Sequence, residues 1–149
     1  MTKSWHLLAL TALGVFVLDQ VTKYWIVWYL DLANRFQIDV LPPFLTFKMA
    51  WNEGINFGLP LGGPAVLISL AIAISIGLTW WVLRQANLIL ALGAGLVVGG
   101  AIGNALDRAL YGAVADFLNM SCCGINNPYA FNVADIAIFA GALVIVFKS

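Results

Sequence analysis

Four apolar runs, at roughly 5–30, 64–83, 88–110 and 129–147, take up most of this 149-residue chain. Each approaches the ~20 residues of helix that cross a hydrocarbon core. With 62% hydrophobic and only 9% charged residues, lipid must serve as solvent for much of the surface. In lipid a backbone must satisfy its own hydrogen bonds, so such runs fold as helices. The expectation is an all-α membrane protein with four transmembrane helices. The second run carries no charge and opens on Pro64, a residue suited to a first helical position. In the third, Gly95, Gly99 and Gly103 recur every fourth residue and leave one face open to close helix packing. The first holds Asp19 and Lys23 one turn apart near its far end, and no small-residue cleavage site follows it. It therefore reads as an anchor and not as a removed signal segment.

Between these runs lie two polar segments. In 31–63, Leu45, Phe47, Met49 and Trp51 alternate with Thr46, Lys48 and Ala50, the period of a half-buried strand. Asn52-Glu53-Gly54 then turns the chain, and Ile55–Gly58 reads as a returning second strand. A small β-sheet resting on the membrane surface accounts for both. Residues 111–128, with Gly124, Asn126, Asn127 and Pro128 as breakers, read as a loop on the same side. Lys3, Arg84 and Lys148 fall in short segments on the other side with no acidic residue among them. That places both termini in the cytoplasm and the sheet outside. The whole of 1–149 is expected to be one membrane domain. Its seven basic and seven acidic residues cancel, so nothing points to nucleic acid.

All seven acidic residues fall on the outer half, and two carry the chemistry. Asp116 in Gly112-Ala-Val-Ala-Asp-Phe117 and Asp135 in Phe131-Asn-Val-Ala-Asp-Ile136 sit where an apolar run meets a polar segment. An ionisable group at membrane depth costs roughly 2.5–3.5 kcal/mol on insertion scales, which makes it a functional candidate. Two carboxylates held together can share one proton and act as a general acid/base pair. The plainer alternative is that each pairs with a neighbouring Arg or Asn to hold helices together. Asn104, Asp107 and Arg108 share one face of the third run, and Asn132 and Asp135 one face of the fourth. Asp107 and Arg108 read equally as a polar clamp, and Asp19 and Lys23 as an ion pair or a substrate contact. No metal-ligand set is visible. His6 is the only histidine and lies at the opposite end. Lys23 leaves a Ser–Lys scheme open, and the adjacent Cys122 and Cys123 read as free thiols. A proton-coupled transporter with Asp19 as carrier and a structural subunit are the rival readings. The first needs polar access from both faces, whereas the polarity gathers at one.

The chain resembles a known family in four blocks. Asp19-Gln-Val-Thr-Lys23, Asn52-Glu-Gly-Ile-Asn-Phe-Gly58, Gly99-Gly-Ala-Ile-Gly-Asn-Ala-Leu-Asp-Arg108 with Gly112-Ala-Val-Ala-Asp-Phe117, and Phe131-Asn-Val-Ala-Asp135 resemble, in order, the signature blocks of the lipoprotein signal peptidases, signal peptidase II. The resemblance implies four transmembrane helices, a small outer sheet and an aspartic dyad near the outer leaflet of the bacterial inner membrane. It places the dyad on Asp116 and Asp135. Supporting roles fall on Asp19, Lys23, Asn52, Gly54, Asn104, Asp107, Arg108, Asn132 and Ala134. It implies cleavage of diacylglyceryl-modified prolipoproteins just before the lipidated Cys, without a cofactor. The implied partners are the lipidated signal peptide, membrane lipid and cyclic lipopeptide inhibitors such as globomycin. Asn56 departs from the small residue usual there, and the basic tail after Lys148 is short.

Overall fold

The computed structural model describes residues 2–54 and 63–148. Helix α1 (Thr2–Lys23) runs without a break into a π-helical stretch, Tyr24–Tyr29. There Leu30 N donates to Trp25 O at 2.9 Å, one residue beyond the α-helical spacing. Asp31, with φ 60°, ends it, and a single turn, α2 (Leu32–Arg35), leads to strands β1 (Gln37–Leu41) and β2 (Leu45–Asn52). Helix α3 (Pro64–Gln85) begins with proline in its first turn, where the missing N–H costs nothing. Helix α4 (Leu88–Tyr111) is capped by Asn87, whose side chain accepts from Ile89 N at 2.8 Å and Leu90 N at 3.3 Å. Gly112, at φ 77°, closes it in the left-handed conformation glycine adopts without strain. Strand β3 (Val114–Met120) and helix α5 (Val133–Lys148) complete the order.

Among the described residues, three helices are long and apolar enough to cross a membrane: Lys3–Tyr29, Pro64–Gln85 and Leu88–Tyr111. α5 is apolar, but its 16 residues rise only about 24 Å, against a core of about 30 Å. By length and composition, then, the structure supplies three of the four expected spans. The fourth run starts later than its composition implies, because Asn132 caps the helix only at Val133.

α4 is the axis of the bundle. A Cβ at Gly95 would lie 2.8 Å from Leu8 O, and one at Gly99 2.8 Å from the Val15 Cβ, so this face meets the α1 backbone directly. On the other side a Cβ at Gly100 would lie 2.8 Å from Ile138 Cγ1 of α5. α3 packs through Val82, beside Leu8, Leu90, Ala91 and Ala94. Much of the rest of α1 and α3 faces outward, as with Leu10 and Ile76, which suits a lipid-facing surface.

The sheet is three-stranded and antiparallel in the order β1-β2-β3. β2 occupies the segment whose alternation predicts a strand. β1 and β3 are additions. The stretch 111–128, read as a loop, contains β3, which pairs Thr46 with Asn119 and Ala50 with Asp116. The return strand expected at Ile55–Gly58, with Phe57 and Asn56, lies outside the described residues. Ile26 and Val27 of the π-helical stretch, Leu32, Ala115 and Phe117 form one buried cluster that seats the sheet on the end of α1. Phe47 meets Phe117 edge-on at 6.2 Å.

Candidate functional site

At the sheet end of the bundle, Lys23 is 5% exposed and must place its charge on protein groups. An ammonium has three donors, and all three are used. Lys23 Nζ reaches Asp19 Oδ2 at 2.8 Å, Asp107 Oδ2 at 2.8 Å and Asn104 Oδ1 at 3.2 Å. Asp19 in turn accepts from Ala134 N at 3.0 Å, which ties α1 to the first turn of α5. Asp107 accepts from Ala115 N at 3.2 Å, which ties α4 to β3 beside Asp116. Gln20 bridges the two acids, donating to Asp19 Oδ2 and Asp107 Oδ1 at 3.1 Å each.

The second tier holds the two candidate aspartates. Asn104 Oδ1 accepts from Lys23 and from Asn132 Nδ2 (3.2 Å), which turns its amide nitrogen toward Asp135 Oδ1 at 2.9 Å. Asn132 Nδ2 also donates to Asp116 Oδ1 at 2.6 Å. Asn132 and Asp135 close a reciprocal cap on α5. Asp135 N donates to Asn132 Oδ1 at 2.9 Å, and Asn132 N to Asp135 Oδ2 at 3.2 Å. The cap fixes both side chains at the helix start, where an acid complements the helix dipole.

Asp116 is buried on β3 and accepts from Asn52 Nδ2 at 3.0 Å. Asn52 Oδ1 accepts from Gly54 N at 3.0 Å, a turn that needs the positive φ of 92° found at Gly54. Burial above all, and then the negative charge of Asp135, push Asp116 up to about 6, against the hydrogen bonds from Asn52 and Asn132. Lys23 pairs with Asp19 and Asp107, and among the described residues neither Asp116 nor Asp135 is paired with a cation. Two unpaired carboxylates, joined through Asn132 and Asn104 and close enough to raise one of them, form an arrangement suited to passing a proton. Among the described residues no three His, Cys, Asp or Glu stand together to hold a metal ion.

The network brings together Asp19, Lys23, Asn52, Gly54, Asn104, Asp107, Asp116, Asn132, Ala134 and Asp135. Arg108 stands apart. The reading of Asp107 and Arg108 as a joint clamp applies to Asp107 alone, because Arg108 Nη1 makes only a 3.4 Å contact to Asn104 O of its own helix. Its buried Nε has no hydrogen-bond partner among the described residues. Gln20 is the residue the sequence did not mark. It is neutral and lies beside Asp19, and its only signal is an amide inside an apolar run. Cys122 and Cys123 are exposed free thiols away from this network.

Residues 11–149 match the model of the family described as signal peptidase (SPase) II. The chain is 41% identical over 148 residues to a lipoprotein signal peptidase of Rhodopseudomonas palustris, covering 94% of this chain and 89% of the relative. It is 42% identical over 141 residues to one of Methylorubrum extorquens, covering 92% and 81%. Two solved structures, both described as bacterial membrane enzymes, are similar in fold. One has a TM-score of 0.77 at 32% identity, covering 93% of this chain and 84% of that one. The other has a TM-score of 0.80 at 31% identity, covering 93% and 88%.

Proposed function

Because the chain belongs to the signal peptidase II family, we propose that it removes the signal peptide from prolipoproteins with Asp116 and Asp135 as an aspartic dyad. The observation that carries this is a pair of carboxylates without cations, linked through Asn104 and Asn132, with Asp116 poised at about 6. One carboxylate takes a proton from water while the other, protonated, donates to the scissile carbonyl oxygen. The water oxygen bonds to carbon to give a tetrahedral diol. As the C–N bond breaks, the departing amine takes a proton from one carboxyl while a diol hydroxyl returns its proton to the other carboxylate and the C=O re-forms. The Asp19–Lys23–Asp107 group holds α1, α4, α5 and β3 in register around the pair. Arg108, with a buried donor unspent, faces the task of binding substrate.

The substrate class follows from depth. Hydrocarbon-seeking diacylglyceryl chains and a cut just before the Cys that bears them put the bond at headgroup level, where the sheet meets the helices. In this reading α5 is the fourth span, both termini are cytoplasmic, and the site opens near the outer leaflet of the bacterial inner membrane. Globomycin inhibits by presenting a polar group to the two carboxylates. A transporter with Asp19 as carrier fits less well, because Asp19 is held by Lys23, Gln20 and Ala134 N.

The test compares lipidated and unlipidated prolipoprotein with the purified enzyme and its Asp116→Asn and Asp135→Asn variants. Each buried CH₂ is worth about 0.8 kcal/mol, so the unlipidated peptide should be cut at least ~100-fold more slowly. Both variants should lose cleavage while melting near the parent. Substantial activity in either variant sinks the aspartic mechanism. Equal cleavage of the two peptides sinks the lipid requirement.

A further inference from the structure

A cavity of about 120 Å³ lies against the Lys23 group, at the junction of helices and sheet. Its walls are aromatic and come from three elements: Tyr24 and Trp28 from the π-helical stretch, Trp51 from β2 and Tyr111 from the end of α4. Trp28 and Tyr111 meet at 6.0 Å and 44°, and Trp51 and Tyr111 at 5.6 Å and 55°. Inclined rings of this kind present faces as well as edges to a guest. The polar part of the lining is Gln20, Lys23 and Asp107. Peptide hydrolysis at Asp116 and Asp135 calls on none of these rings.

We infer that this cavity binds the ammonium headgroup of a zwitterionic phospholipid. A carboxylate among aromatic faces points to a cation: of the two acids that hold Lys23, Asp107 is the one that lines the cavity. All three Lys23 protons are committed to Asp19, Asp107 and Asn104, so the lysine offers no donor to an anionic guest. Aromatic faces attract an ammonium through their quadrupoles, most strongly where water is excluded. The volume suits a substituted ammonium and does not accommodate a sugar. A phospholipid is the source because the wall continues into lipid-facing surface. Val17, Leu18 and Val21 of α1 and Trp25 of the π-helical stretch are all about half exposed, a track for acyl chains below the headgroup. Tyr and Trp rings at such a junction also match headgroup depth.

The experiment reads binding alone, so its outcome is separate from that of the peptidase assignment. The purified protein in maltoside micelles is titrated with dihexanoyl phosphatidylcholine, phosphatidylethanolamine and phosphatidylglycerol, and with choline chloride, while its melting temperature is followed. The two ammonium lipids should raise the melting temperature saturably, and the glycerol lipid and free choline should not. Trp28→Ala should weaken the choline lipid about tenfold, and Trp28→Phe should keep most of it. If Trp28→Ala does not fold, Trp51→Leu tests the opposite wall with the same expectation. Equal shifts from all three lipids overturn the site, as does full affinity in whichever wall variant folds. A saturable shift from free choline alone overturns the phospholipid as its occupant.

Discussion

Asp116 shows how one side chain can carry a pH dependence through the whole fold. Its ordinary value is 3.8, and burial with Asp135 nearby raises it to about 6. A carboxyl raised on folding contributes stability that is full below the unfolded value and is lost as pH rises through the folded one. The melting temperature should therefore fall between about pH 4 and pH 6 by more in the parent than in Asp116→Asn. Thermal scans at stepped pH read this difference, and equal slopes would show that Asp116 does not titrate there. Asp135→Asn removes the like charge, so it should lower the Asp116 titration seen in the carboxyl infrared band. Asn52→Ala removes a hydrogen bond to the ionised form and should raise it. A second comparison separates neighbours in sequence. Asp107→Ala strips a partner from Lys23, Gln20 and Ala115 N and should cost about 1–3 kcal/mol or more. Arg108→Ala loses one long contact and should cost less than about 1 kcal/mol in melting. Comparable destabilisation by the two would restore Arg108 to a structural role.

Elements differ in how openly the sequence declares them. The charge-free run declares its start at Pro64, whereas its end at Ala86, an alanine in the left-handed conformation, carries no sequence signal. β2 shows its period of two because one face packs on Phe117 and the other does not. β3 hides, because Val114, Ala115, Asp116 and Phe117 are all buried, so no polar face alternates with an apolar one. β1 hides for the opposite reason, being almost wholly exposed. The site was legible as a set of polar residues on helix faces, but the link from Asp107 to Ala115 N depends on β3 and so could not be read. Gly103 joins element to site. A Cβ there would lie 2.6 Å from Asp19 Oδ2, inside the Lys23 group. Gly103→Ala should destabilise the protein by about 1–3 kcal/mol. Gly77→Ala, with nothing within 4 Å, should be neutral or slightly stabilising. Denaturant melts of the pair in one detergent decide it. Equal stability would mean that α1 and α4 part easily at this level.

At the scale of the molecule, polarity is strongly one-sided, and this makes the orientation testable with residues already present. The aspartates, the Lys23 group and the sheet gather at one end, while Arg84 and Lys148 end their helices at the other. α3 and α1 show lipid-compatible surface between. If basic residues in short segments stay inside, the sheet end faces outward. Cys122 and Cys123, exposed just after β3, then lie on the outer face as a native reporter. In intact spheroplasts a membrane-impermeant maleimide should label the protein at these two thiols, and a Cys122→Ser, Cys123→Ser double variant should take up none. Both thiols are open to solvent, but the hydrogen bond with Cys123 pushes the Cys122 thiol up. Labelling is therefore run at about pH 8, where the thiolate fraction is larger, and a negative result is then informative. Labelling that appears only after lysis would place the sheet inside. It would also put the dyad on the wrong side of the membrane for a substrate whose signal peptide is cut after export.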